Sequence, residues 1–269
     1  MNEMDFIKLI KESVEIYKKA FVGLLKVTLL GCLGAFVYVL GLGVIAGLGV
    51  VLHINSLFGI PYFVAGVIFL IALLTWTRLA EIKMVDDFGE HGHGFGAKRS
   101  FSETRKFIVP FIMTSFLFGI IALGWSLLLI IPGIIIEVWF CFYNFNVVLE
   151  KETGFAALFR SREYLRGRTG KVFLYFFAFG ILSAMVTSIP QFLLRQANLS
   201  FLAVTYNIVM AFIIGPVGLI FSYLVYKAAK KQRGNFKLTV NSSRKIKYLL
   251  PLIIILFASL VIIVLNFRA

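Results

Sequence analysis

Four stretches of this 269-residue chain contain no Lys, Arg, Asp or Glu: residues 27–77, 172–194, 196–226 and 248–267. A fifth, residues 107–149, contains Glu137 alone. A bilayer core about 30 Å thick is crossed by about 20 residues of α-helix. The two longest stretches therefore hold two spans each and the other three hold one each, which predicts seven spans. A water-soluble helix of this length would need a polar face, and these runs have none. The expected fold is all-α, a polytopic helical membrane bundle of three hairpins plus one C-terminal span. It forms a single integral domain over 1–269: an interfacial helix over 1–20, a six-span bundle over 22–226, a basic segment over 227–247 and the extra span over 248–267.

The formal net charge of +14 would suggest a nucleic-acid partner in a soluble protein. Laid out along alternating loops, it reads differently. All of the 27 Lys and Arg residues except Arg195 and Arg268 fall on one side of the predicted spans. Cytoplasmic loops carry the Lys/Arg excess. The amino terminus is thus expected inside and the carboxyl terminus outside, in a multi-pass protein of the cell (plasma) membrane. The basic residues would meet anionic inner-leaflet headgroups, and no nucleic acid is expected. Cys32 and Cys141 both lie in apolar runs, so neither a disulfide framework nor a zinc pattern is predicted. The first apolar run is too long for a signal-peptide core and is read as a retained span.

Residues 4–20 place Phe6, Ile7, Ile10, Val14, Tyr17 and Phe21 at helical spacing with charges between them, which predicts a helix lying on the inner leaflet. Gly43 and Gly47 form a GxxxG pair suited to close helix approach. His53 to Pro61 is the outer turn. Ser100 and Glu103 have capping-box spacing before span 3. Pro132-Gly133 is a turn dipeptide dividing spans 3 and 4, with Trp125 toward the outer interface. Thr153 would cap a second amphipathic helix containing Phe155, Leu158, Phe159 and Leu165, with Gly167 near its end. Span 6 is expected to kink at Gly215-Pro216.

From Leu127 to Gly167 the chain reads LLLIIPGIIIEVWFCFYNFNVVLEKETGFAALFRSREYLRG. With Pro132-Gly133 at a hairpin, Val148-Leu149-Glu150, Gly154, Ala157-Leu158, Arg160-Ser161, Leu165 and Gly167-Arg168 in order, it resembles the membrane domain that accompanies some glycerophosphodiester phosphodiesterases, and its stand-alone prokaryotic relatives. The likeness extends over residues 5–235; where the family often has an aromatic after Gly-Arg, this chain has Thr169-Gly170. What the resemblance implies is a fold. The soluble barrel that names the family is not expected within these residues, so its phosphodiesterase activity is not carried over.

Catalytic patterns are missing. The sequence has no H-E-x-x-H helix, no Gly-flanked serine with a histidine deep in another span and no paired-Glu helix. Thr169-Gly170-Lys171 lacks the glycine loop of a phosphate-binding motif. The chain is expected not to be an enzyme and to need no cofactor. Asp86, Asp87, Glu90, His91 and His93 gather metal-ligating groups, but the glycines among them predict a solvated loop, and no metal site is assigned. Glu137 is the one acid in an apolar run, where a carboxylate is costly. Glu137, Cys141 and Asn144 follow i, i+4, i+7 spacing, and span 5 offers Ser183, Thr187, Gln191 and Arg195 at i+4 steps, although Pro190 interrupts the register. The candidate binding residues are Glu137, Asn144, Thr187, Gln191 and Arg195, with Glu137 and Arg195 expected to pair near the outer face. These stripes either line a cavity or hold spans together. Lys26 reads as a snorkelling residue at the inner interface. Two functional readings follow: a non-enzymatic protein handling lipids or small amphiphiles as transporter or accessory, or a structural or assembly protein that recruits an unidentified partner through basic cytoplasmic helices.

Overall fold

A computed structural model of the chain describes residues 5–51, 59–92, 96–234, 236, 245–251 and 254, without the side chains of 42, 44–51 and 59–62. Among the described residues there is helix and no strand. Six stretches are long and apolar enough to cross a membrane: Phe6–Gly41, Phe63–His91, Ala97–Leu128, Ile130–Leu149, Thr169–Gln196 and Ser200–Arg233. The chain is an all-α, multi-pass membrane protein, as the charge-free blocks require. The seventh predicted span, and His53 and His93, lie wholly or mostly outside the described residues. The elements are α1 (Phe6–Val51), α2 (Gly59–His91), α3 (Ala97–Thr104), α4 (Ile108–Leu128), α5 (Ile130–Phe140), α6 (Tyr143–Leu149), α7 (Gly154–Leu165), α8 (Thr169–Gln196) and α9 (Ser200–Arg233). They group into two compact units: Met1–Phe6, Val109–Val186 and Leu224–Ala269 form one, Ile7–Ile108 and Thr187–Tyr223 the other.

In the second unit, α1 is one unbroken helix of 46 residues, so the segment 4–20 is not a separate element. Gly23 stands between it and the apolar run, and the helix continues through that glycine unbroken. Its buried stripe is Leu9, Ser13, Ala20, Leu24 and Val27, while Ile7, Val14 and Phe21 point outward. The expected GxxxG contact is not where α1 is closest to its neighbour. A Cβ at Gly43 would meet nothing within 4 Å, and Gly47 has no described side-chain surroundings. The close approach runs lower, where a Cβ on Gly31 would stand 2.5 Å from Thr77 Oγ1 and one on Gly34 2.5 Å from Leu73 Cδ2. From α2, Gly66 makes room for the ring of Tyr38. Glycine lets two helices close without a polar driving force.

The lower part of α2 also departs from expectation. It stays helical to His91 instead of loosening into a loop at Asp86. The acids are spoken for: Lys83 Nζ donates to Asp87 Oδ1 at 2.7 Å and to Asp86 Oδ2 at 3.4 Å, and Tyr223 OH donates to Asp86 Oδ1 at 2.9 Å. One turn earlier, Thr28 Oγ1 and Arg78 Nη1 donate to the two oxygens of the buried Glu81, at 2.9 and 3.2 Å. Helix α3 then packs back on α2, with Trp76 Nε1 donating to the Phe101 carbonyl at 2.8 Å. The predicted capping box does not form. Ser100 lies inside the helix, where its hydroxyl donates to the Gly96 carbonyl, and Glu103 accepts from Arg99. A hydroxyl within a helix finds the i−4 carbonyl more readily than an end to cap.

In the first unit, α4 and α5 form a hairpin that turns at the extended Leu129, three residues before the predicted Pro132. Pro132 instead falls in the first turn of α5, where its missing N–H has no helical partner to lose. Gly133 fits because a Cβ there would sit 2.8 Å from the Ser126 Cα. The predicted return span is broken at Cys141–Phe142, between α5 and α6. Helix α7 does not lie on a surface: Ala157, Leu158, Phe159, Ser161, Tyr164 and Leu165 are buried, and Leu158 and Phe159 share a core with Ile121, Ile136, Phe140 and Tyr248. Thr153 occupies the cap position without a side-chain cap bond, and Gly167 turns the chain out at φ 78°. α8 and α9 continue through Pro190 and Pro216.

Candidate functional site

A break in an apolar helix leaves backbone groups without partners, and in lipid each is costly. The first unit meets this cost with one side chain from α7, Ser161. The Phe142 N–H donates to Ser161 Oγ at 3.0 Å, and the Ser161 hydroxyl donates to the Trp139 carbonyl at 2.8 Å. One serine thus bridges the gap between α5 and α6. Asn146, fully buried, donates from Nδ2 to the Ala157 carbonyl at 2.8 Å. The Asn146 backbone carbonyl accepts from the N–H groups of Glu150 and Glu152. The first N–H of α7, at Gly154, donates to Thr114 Oγ1 on α4 at 2.8 Å. Tyr143 OH donates to Ser115 Oγ at 3.1 Å.

Below the break lies a band of charge. Glu150 accepts from Tyr226 OH at 2.8 Å and from Lys230 Nζ. Burial alone would raise the Glu150 pKa, but these hydrogen bonds outweigh it and hold the carboxyl below the usual glutamate range. Arg160 pairs with Glu152, and the hydrogen bond raises the guanidinium pKa further against the opposing effect of burial. Burial pushes the Tyr164 phenol up. Phe236 takes the guanidinium carbons of Arg160 and Arg233 at 5.5 and 5.6 Å from its ring centre. Among the described residues, no group of three or more His, Cys, Asp or Glu side chains is placed to hold a metal.

Helix α5, the end of α7 and residues 246–250 wall a cavity of about 750 Å³. Its lining divides by chemistry. Trp125, Ile135, Ile136, Trp139, Tyr248 and Leu250 supply apolar and aromatic surface, and Arg162, Arg166 and Lys247 bring positive charge. The tryptophan N–H groups are occupied, Trp125 Nε1 by the Tyr248 carbonyl at 3.2 Å and Trp139 Nε1 by Thr169 Oγ1 at 3.2 Å. Only ring surfaces remain for a guest. Arg162 lies 4.4 Å from the Trp139 ring centre and 5.5 Å from that of Tyr248. The one acid in the wall, Glu163, serves Arg233 and Arg166, at 3.2 and 3.7 Å.

This cavity corrects the expected topology at one point. Trp125 and Pro132 were expected at the outer turn, and Arg162 and Lys247 on the cytoplasmic side. The structure lines one cavity with all four. Positions separated by a hydrocarbon core about 30 Å thick cannot do that, so those two placements do not hold together.

Of the predicted binding residues, Glu137 and Asn144 belong to the first unit and Thr187, Gln191 and Arg195 to the second. Glu137 is exposed on α5 with no ion-pair partner among the described residues; Asn144 is half-buried with Oδ1 unpartnered. The break at Cys141–Phe142 interrupts the register that would have put Glu137, Cys141 and Asn144 on one helix face. Thr187 and Gln191 are half-buried and Arg195 is exposed near the end of α8. Composition and spacing did not single out Arg162, Trp139, Ser161 or Tyr248 as a group. Ser161 stands within the Arg160-Ser161 pair of the stretch that carries the family resemblance, and that was the one signal pointing here. No family model matches the chain, and neither a curated protein nor a solved structure matches it.

Proposed function

We propose that this chain is a non-enzymatic membrane protein that accommodates an anionic amphiphile in the cavity of its first unit, as a transporter or lipid-handling accessory. One observation carries the reading: Arg162 is laid over Trp139 and Tyr248 at the wall of a cavity that joins the apolar side chains of Trp125, Ile135 and Leu250 to the positive charge of Arg166 and Lys247. A cavity of about 750 Å³ falls within the roughly 300–1,000 Å³ of small-molecule sites. Guanidinium groups recognise phosphate and carboxylate, and an alkyl chain would meet Trp125, Ile135 and Leu250. The excess of Lys and Arg in alternate loops supports an amino terminus on the cytoplasmic side, with the carboxyl terminus outside. The likeness of Leu127–Gly167 to the phosphodiesterase-associated membrane domain supports a related fold.

The test uses the full chain in neutral-lipid nanodiscs, titrated with dodecyl phosphate and, separately, with dodecyl maltoside, both below their micelle concentrations. The phosphate should bind at least about tenfold more tightly, and Arg162→Ala should remove about that factor, since a hydrogen bond to a charged group contributes about 1.5–3 kcal/mol. Equal affinity for the two amphiphiles, or an Arg162→Ala variant that binds as before, overturns the proposal.

A further inference from the structure

A second basic-apolar junction occurs in the second unit, in an open groove of about 860 Å³ between α1, α2 and α3. It is assembled from two helix faces at matching spacings. On α1, Lys26, Leu29, Leu30 and Leu33 follow i, i+3, i+4, i+7, so they share one face. Its three leucines are 44%, 54% and 60% exposed and rise from the lysine over about 10 Å of helix. On α3 and the short turn after it, Lys98, Phe101, Ser102 and Arg105 repeat the same spacing. All eight line the groove, with Trp76 between the two faces.

The chemistry of α3 divides cleanly around its circumference. Ser100 and Thr104 are buried. Arg99 and Glu103 neutralise each other at 2.6 Å. Lys98 and Arg105, on the groove face, have no carboxylate partner among the described residues, and neither has Lys26. Three uncompensated cations therefore stand at one end of an exposed leucine track. Trp76 Nε1 is engaged by the Phe101 carbonyl, so that ring offers only apolar surface. Basic residues with no acid beside them would recognise a phosphate, and a row of leucines in a membrane-spanning helix would receive an acyl chain.

We infer that this groove is a binding site for one anionic phospholipid, with its phosphate against Lys26, Lys98 and Arg105 and an acyl chain along Leu29, Leu30 and Leu33. It stands apart from the cavity in the first unit and does not rest on that reading. The site differs from general attraction to an anionic surface because it demands two particular helix faces, and α3 supplies one of them.

The experiment is native mass spectrometry of the full chain released from detergent, titrated with phosphatidylglycerol, phosphatidylcholine of the same chains, and inorganic phosphate. The first phosphatidylglycerol should bind with clear preference over phosphatidylcholine. The double variant Lys98→Gln/Arg105→Gln should lose about thirty-fold in that first binding step, two residues at roughly fivefold each. The charge-preserving double variant Lys98→Arg/Arg105→Lys should retain it, which separates lost recognition from lost folding. All titrations are run in the Arg162→Ala background, which takes the cavity of the first unit out of the comparison. Equal binding of the two lipids, an unaffected Gln double variant, a charge-preserving variant that binds as poorly as the Gln one, or inorganic phosphate bound as tightly as the lipid would each overturn the inference.

Discussion

Where α1 passes α2, two long unbroken helices close on each other through Gly31, Gly34 and Gly66. Where α5 gives way to α6, the helix stops and Ser161 takes over its hydrogen bonds, while Asn146 and Thr114 fasten α7 alongside. Both regions are rich in apolar residues, and both face the same constraint, that lipid offers no partner to an exposed peptide group. The first satisfies it inside each helix and spends its small residues on proximity. The second imports partners from α7 and encloses space. Glycine closes the seam between α1 and α2 themselves, so the groove of the second unit opens beside that seam against α3, while the cavity of the first unit lies between α5, α7 and residues 246–250.

This contrast can be broken or sharpened by substitution, beginning with the largest effect. Gly66→Ala would place a Cβ in the ring of Tyr38 and should destabilise the protein by about 3 kcal/mol, at the upper end of overpacking costs. Tyr38→Ala in the same chain should restore much of the loss. Unfolding in mixed micelles measures both, and a tolerated Gly66→Ala would remove close packing from the account of this pair.

Ser161→Ala should cost about 1–2 kcal/mol, because it leaves the Phe142 N–H and the Trp139 carbonyl without their partner. Hydrogen exchange supplies the signature: the Phe142 amide should lose protection while the Leu24 amide in α1 keeps its own. Uniform loss across both regions would argue that the break is not separately held.

The smallest effect concerns Glu150. Its folded pKa lies below the usual glutamate value because Lys230 and Tyr226 outweigh burial. A depressed acid contributes stability that is complete above its unfolded pKa of about 4.3 and is lost as pH falls through the lower folded value. With Lys230 partly exposed, the contribution should be about 1 kcal/mol or less. Glu150→Gln should therefore lower stability at pH 7 and flatten its fall below pH 4.5. An unchanged acid limb in Glu150→Gln would assign that limb to other groups.

Much of the fold was legible because length and apolarity suffice to specify a straight membrane helix. The runs giving α1, α2, α8 and α9 could be read directly. The break at Cys141–Phe142 could not, since neither glycine nor proline stands there and the residue that satisfies it, Ser161, lies 19 residues downstream of Phe142. The burial of α7 was hidden for a related reason. Its pattern of Phe155, Leu158, Phe159 and Leu165 fits lipid or protein equally well, and only the position of α4 and α5 decides. Glycine spacing likewise named Gly43 and Gly47, while helix register chose Gly31 and Gly34. The cavity needed Trp125, Trp139, Arg162 and Tyr248 from four separate segments, and no local spacing links them.

The central claim, that the first unit holds an anionic amphiphile against Trp139 and Arg162, is tested most directly by fluorescence from Trp139 alone. With Trp76→Phe and Trp125→Phe in the full chain, a dodecyl phosphate brominated along its chain should quench Trp139 saturably. The matched brominated maltoside should quench it weakly, and Arg162→Gln should abolish the difference between them. Quenching that is equal for both amphiphiles, or that survives Arg162→Gln unchanged, would contradict the account.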